Sequence, residues 1–323
     1  MTGQQGCWVV GGGMGVGHIG RRLLSAVFVL WLAASLAFFA LKLTPGDPAE
    51  ALLAASGATP EEVAERRARL GLDDPLWLQY VRYLTDLARG DLGRSWLHGR
   101  PVGRMVGEQL GPTVELAVAA TAVGMALGVG LGTLAAVRRR TWVDTAATAV
   151  AVVGLSTPTY WSGLLVILLF SLHLRWFPAT GEGGLRHLVL PASVLGFALA
   201  GSIARLVRAR VADVLGSPFV LAARARGLPG RHVLLVHVLK AAAGPALAVT
   251  ALQFGFLLGG AVVTETVFAR RGLGRLVVEA ILWRDLPVVR GVVLVGALAY
   301  VGVNLLADLL HAWLDPRLRE SEP

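Results

Sequence analysis

Six stretches of this chain run without a charge for 17 to 30 positions: Leu23 to Leu41 (19 residues), Leu116 to Val137 (22), Thr145 to Leu174 (30), Leu188 to Ala204 (17), Ala241 to Thr264 (24) and Gly291 to Ala307 (17). A helix needs roughly 20 mainly apolar residues to cross a hydrocarbon core about 30 Å thick, and the shorter runs reach that length when flanking side chains snorkel. The pattern predicts six transmembrane helices. The fourth run carries Pro191 near its start, which leaves a buried or re-entrant helix open as its alternative. The first run is longer than the ~7–15 residues of a signal-peptide core, and no A-x-A-like site precedes Thr44, so it is expected to remain as an anchor.

Between the first two runs lies the one long hydrophilic stretch, Thr44 to about Gly111. Glu61, Glu62 and Glu65 stand at helical spacing from Arg66, Arg67 and Arg69, which predicts a short amphipathic helix, broken further on by Gly90, Gly93 and Gly99. The expected organisation is a Gly-rich, disordered tail over 1–20, a first transmembrane helix over 21–43, and an external loop subdomain over 44–112. A transmembrane core of five helices follows over 113–314, with a cytoplasmic connection at 211–240, and the tail 315–323 is cytoplasmic. No repeat of 20 to 50 residues appears.

Orientation follows from the Lys and Arg flanking the runs. Arg21, Arg22, Arg138 to Arg140, Arg205, Arg208, Arg210, Arg224, Arg226, Arg231, Lys240, Arg317 and Arg319 fall on one side if the helices alternate, which places both termini in the cytoplasm. Arg270, Arg271, Arg275, Arg284 and Arg290 break the rule by falling outside.

Composition agrees with an all-α integral membrane protein. Of 323 residues 55% are hydrophobic and only 16% charged, too few charges to cover a water-facing surface, and the mean hydropathy is +0.64. The net charge of +9 would suit nucleic acid, but the basic residues sit at the ends of apolar runs rather than along one groove, so no nucleic acid partner is expected. The single cysteine, Cys7, excludes an internal disulfide or a cysteine-based metal centre within one chain.

Catalytic motifs are absent or misplaced. Gly15-Val16-Gly17-His18-Ile19-Gly20 spells G-x-G-x-x-G, but a membrane span follows it instead of a βαβ unit. The two lysines, Lys42 and Lys240, follow no glycine, so there is no P-loop and ATP is not bound that way. No H-E-x-x-H, no G-x-S-x-G and no histidine pair at ligand spacing occurs, and the chain is not expected to be an enzyme or to bind a metal.

Polar residues in or near the spans are candidates for a solute path, because a carboxylate in hydrocarbon costs roughly 2.5–3.5 kcal/mol and faces a cavity or a partner. Two stand out, Glu265 and the mid-span Gln253; for Gln253 a helix-to-helix hydrogen bond is the competing use. Glu115 and Asp308, like Glu265, sit near run ends, where a solvated terminus is the plainer reading. Pro158, Pro191 and Pro245 predict kinks in or at the edges of the third, fourth and fifth spans.

The connection Val211 to Lys240 holds a sharper signal. Ser217 before Pro218 starts a helix, Leu221 to Arg226 continue it, and Gly227 suits the left-handed residue that ends one. This short helix would present small alanines between arginines, which suits either a partner protein or anionic lipid.

That segment resembles the loop shared by permease subunits of binding-protein-dependent ABC importers, in which E-A-A precedes a glycine. Ala222, Ala223 and Gly227 match, Leu221 replaces the Glu, and His237-Val238-Leu239-Lys240 departs from the usual ending, with its proline at Pro245. This form is similar to the dipeptide, oligopeptide and nickel branch. Further matches run along the chain: Thr44-Pro45-Gly46-Asp47-Pro48, Leu70-Gly71-Leu72-Asp73, Gly90-Asp91-Leu92-Gly93-Arg94-Ser95, Pro178-Ala179-Thr180-Gly181 and Leu190-Pro191-Ala192. Gln253-Phe254-Gly255, Glu265-Thr266-Val267-Phe268, Gly272-Leu273-Gly274, Asp285 with Pro287, and Leu314-Asp315-Pro316-Arg317 complete the series, while Arg271 stands where relatives have proline.

The resemblance implies a permease subunit in the inner or plasma membrane, in contact with membrane lipid and paired with a second homologous permease subunit. Two cytoplasmic ATPase subunits would carry ATP and Mg, and an external solute-binding protein would deliver short peptides, nickel or another small solute. Ala222, Ala223, Arg224, Ala225, Arg226 and Gly227 would couple the ATPases to the spans. The competing class is a stand-alone secondary transporter or channel, for which the sequence offers neither mid-span charges nor an inverted repeat.

Overall fold

The computed structural model describes residues 16–42, 49–50, 59–258 and 261–314. Thr44 to Pro48, Asp315 to Arg317, the tail 315–323 and residues 1–15 of the Gly-rich start lie outside them, as does the side chain of Asp308. Among the described residues the regular structure is helical and there is no β-strand, only an isolated bridge between Arg94 and Pro101.

Helix α1 (Val16–Lys42) is followed by two short helices, α2 (Pro60–Arg69) and α3 (Leu76–Ala88). The predicted amphipathic helix is α2, opened by a capping box between Thr59 and Glu62 with Pro60 in its first turn, where a missing N–H costs nothing. Then come α4 (Val102–Val137), α5 (Trp142–Ser156), α6 (Thr159–His173), α7 (Leu185–Leu215), α8 (Pro218–Ala225), α9 (Gly230–Leu258), α10 (Val262–Val267), α11 (Leu273–Leu282) and α12 (Leu286–Leu314).

Five helices, α1, α4, α7, α9 and α12, are long and apolar enough to cross a membrane, and the bent pair α5 and α6 makes a sixth when counted as one span. The third run is therefore not one straight helix. Its two halves meet at 104° where Pro158 removes a backbone donor and forces its neighbour Thr157 out of the helical region. The fifth run is also shorter than its apolar stretch: α9 ends at Leu258, and Glu265 belongs to the separate α10. The fourth run is no re-entrant segment, since α7 has 31 residues, keeps Pro191 inside its first turns, and is the most enclosed of the long helices.

Tight glycine contacts hold the centre. Gly124, Gly128 and Gly132 recur every four residues on α4 and meet Leu199, Ile203 and Val207 of α7 in the same order, so the two helices run in the same direction. A Cβ on Gly132 would stand 2.5 Å from the Ala204 carbonyl oxygen; only small residues permit this approach. Helix α5 packs in the opposite sense, with Gly154 against Phe197 and Gly201 against Ala151 and Leu155.

These directions gather the ends of the helices. Ala136 of α4, Ile203, Val207 and Val211 of α7, Val220 of α8, and Val233, Val238 and Ala242 of α9 form one apolar cluster at the α8 end. At the opposite end Leu116 and Ala120 of α4 pack with Leu188 and Leu195 of α7 and Leu257 of α9.

Candidate functional site

The short helix α8 has one anchored side and one free side. Ser217 adopts extended backbone ahead of Pro218, as the sequence predicts, but its hydroxyl donates back to the Val214 carbonyl and does not cap the new helix. Val220, 1% exposed, inserts among Val211, Val233 and Val238, which joins α8 to the ends of α7 and α9. Burying one valine contributes about 1.5–3 kcal/mol, enough to keep the base of so short a helix seated. The other side carries Leu221, Ala222, Arg224, Ala225 and Arg226, all but Ala223 between them standing clear of the bundle.

The stop is a complete Schellman motif. Gly227 takes φ +80, its N–H donates to the Arg224 carbonyl at 2.9 Å, and the Leu228 N–H donates to the Ala223 carbonyl at 3.3 Å. No atom lies within 4 Å of where a Gly227 Cβ would stand, so glycine is needed for its backbone conformation and not for space. The tip of α8 thus projects free of the bundle.

A polar clamp ties this end together. Asp144, in the first turn of α5, accepts Arg208 Nε at 2.7 Å and Nη2 at 2.9 Å, and also accepts the backbone N–H of Arg140 at 3.1 Å. The two-pronged geometry fixes α5 against α7 one turn from the α8 cluster.

The two path candidates lie elsewhere. Gln253 donates from Nε2 to the Ser202 hydroxyl at 3.1 Å, a bond between α9 and α7. Glu265 is fully buried and is not a solvated helix terminus. Its Oε1 accepts the Thr113 hydroxyl at 2.7 Å and its Oε2 the backbone N–H of Arg275 at 3.1 Å, while Thr113 accepts the Leu273 N–H at 2.8 Å. Glu265 and Thr113 thereby close the open amides at the start of α11. Gly272 and Gly274 are glycines because a Cβ on either would collide, with the Glu265 carboxylate or with the Val262 backbone.

Two further contacts have no signal in the local sequence. Asp285, 2% exposed, accepts the Trp96 N–H at 3.0 Å and the Leu97 N–H at 3.3 Å as well as the Ser95 hydroxyl, so it pins the segment after α3 to the start of α12. Both partners occur in the motifs quoted above, but nothing local relates them across 190 positions. His232 and His237 are no pair at α-helical spacing; a π-helical turn over Val233–Val238 brings their rings to 5.7 Å.

Residues 128–320 match the family described as binding-protein-dependent transport system inner membrane component, and residues 16–116 match its N-terminal membrane-component counterpart. A peptide transport system permease protein of Brucella abortus (strain 2308) is 40% identical over 307 residues, covering 93% of this chain and 98% of the relative. The glutathione transport system permease protein of Escherichia coli O6:H1 is 37% identical over 302 residues, covering 94% and 98%. Among solved structures, two crystal forms of the MetNI methionine ABC transporter in inward-facing conformations share the fold at 17% identity. Their TM-scores are 0.51 and 0.55, covering 65% and 64% of this chain and 96% and 95% of theirs.

Proposed function

Because the chain belongs to the family of binding-protein-dependent transport system inner membrane components, we propose that it forms half of an import pathway driven through α8. It is a multi-pass inner-membrane permease of the peptide branch of ABC importers. The finer reading adds a second homologous permease subunit, two cytoplasmic ATPase subunits that hold ATP and Mg, and an external binding protein that delivers short peptides of the dipeptide to glutathione class. Both termini and α8 then face the cytoplasm.

The observation that carries the coupling role is the division of α8 into a buried base at Val220 and a free tip from Ala222 to Gly227. A partner gripping the tip would push on a helix keyed into α7 and α9, and interlocked helices answer by moving as bodies rather than by bending. The small alanines allow close approach, and Arg224 and Arg226, which have no ion-pair partner among the described residues, suit an acidic groove.

The test is removal of 222–227 in the complete complex reconstituted in vesicles. Uptake is expected to fall at least ~20-fold while the chain still inserts and the ATPases still hydrolyse ATP. Unchanged uptake would refute the role of α8, and flux by this chain alone, without ATPases, would favour a secondary transporter or channel.

A further inference from the structure

We propose that α3 lies along the membrane surface at the C-terminal end of α1, with one apolar edge sunk among the lipid chains, and that it anchors the segment between α1 and α4 to the bilayer. That edge is formed by Trp77, Val81, Leu84 and Ala88, which recur at helical spacing and fall within a sector of about 60°. Trp77 is 67% and Val81 50% exposed, Ala88 is exposed beside them, and Leu84 is half-buried. Thr85, the polar residue on the same edge, donates its hydroxyl to the Val81 carbonyl at 2.8 Å and so asks nothing of solvent.

A second side of α3 is polar. Gln79 donates from Nε2 to the Leu72 and Asp74 carbonyls at 3.1 and 2.8 Å, and Arg82 pairs with Asp74. Asp86 and, just past the helix end, Arg89 are exposed. The third side holds the helix to the bundle. The Tyr80 and Ser35 hydroxyls share a hydrogen bond of 2.7 Å, and the Tyr80 ring lies 5.3 Å from Phe38 and 5.2 Å from Phe39. Tyr83 stacks on Phe38 at 5.5 Å, and the Arg290 guanidinium of α12 lies 5.2 Å from its ring centre.

Depth selects lipid as the occupant of the apolar edge. Ser35, Phe38 and Phe39 belong to the last two turns of the α1 span (Gly20–Ala40), so Tyr80 meets that span where hydrocarbon gives way to headgroups. On α1 itself Leu32, Leu36 and Phe39 are exposed, and the contact between Phe39 and Tyr80 carries this lipid-facing surface directly onto α3. A helix with Gln79, Arg82 and Asp86 on one side and Trp77 and Val81 on another matches that boundary, where tryptophan is the side chain best placed. Anchoring would bear on α12 too, because Asp285 holds Ser95, Trp96 and Leu97 of the segment after α3.

The complete complex in lipid nanodiscs, with Cys7 exchanged in C7S, would carry one spin label at a time, through W77C, V81C or A88C on the apolar edge and D86C or R89C on the polar side. Relaxation by dissolved oxygen, which concentrates in lipid, is compared with relaxation by a water-soluble nickel chelate. Oxygen is expected to dominate at 77, 81 and 88, with the labels about 5–10 Å inside the headgroup boundary, and the chelate to dominate at 86 and 89. Dominance of the chelate at 77, 81 and 88 would put the edge in water and overturn the anchor. Low access of both reagents to those three positions would reveal a protein cover and overturn the lipid assignment. Should W77C fail to assemble, V81C and A88C decide the matter alone.

Discussion

At the α8 end of the bundle Arg138, Arg139, Arg205, Arg210, Arg224, Arg226, Arg231 and Lys240 have no ion-pair partner among the described residues, and Arg208 alone is paired there, to Asp144. At the opposite end Arg270 meets Glu115, Arg271 meets Glu182, and Arg275 meets Glu279. Three of the five arginines that break the charge rule of orientation are therefore paired within the chain, Arg270 in a buried place and Arg271 and Arg275 at the surface. The cations of the α8 end stay available to anionic lipid, worth roughly 1 kcal/mol each near the surface, or to a protein partner. Arginines at the two ends thus serve different purposes: one set meets the outside, the other set holds its own loops.

The contrast is most exposed to test at Glu265. If the opposite end is held by its internal network, E265A strands the Thr113 hydroxyl and the Arg275 N–H in a fully buried place and should cost about 3 kcal/mol. Thermal unfolding of the detergent-solubilised chain would show it, with E265Q milder because one acceptor survives. A melting temperature unchanged in E265A would dissolve the distinction.

The connection between the ends is tested at paired glycines. G132A forces a Cβ against the Ala204 carbonyl and should cost ~1–3 kcal/mol, whereas G130A meets nothing within 4 Å and should be neutral or slightly stabilising. Equal melting temperatures for the two would mean that α4 and α7 are not in close contact.

The smallest effect belongs to the free tip. G227A leaves ample room but imposes φ +80 on a residue with a Cβ, a local cost of about 1 kcal/mol. Solute taken up per ATP hydrolysed should fall by no more than about fivefold, with the melting temperature unchanged. A large loss of thermal stability would instead make α8 part of the core.

Local features were legible in the sequence wherever one stretch of chain settles its own conformation. The Thr59 to Glu62 box, the Ser217-Pro218 start and the Gly227 stop of α8 are decided within a few residues. The apolar runs located the long helices, because backbone groups in hydrocarbon must be bonded within the helix itself. Run lengths misjudged the ends, since helices continue through polar residues: α4 begins at Val102, well before the apolar stretch that starts at Leu116.

The order of amino acids is enough to establish a helical membrane protein with a short, sharply stopped helix between its fourth and fifth spans. Packing in three dimensions was needed to make Glu265 a buried clasp on Thr113, to set Asp285 on Ser95, and to leave some arginines paired and others free. The cause is separation along the chain. A carboxylate and its donor 152 or 190 residues apart carry no local mark of one another, and their pairing exists only once helix packing has brought them together.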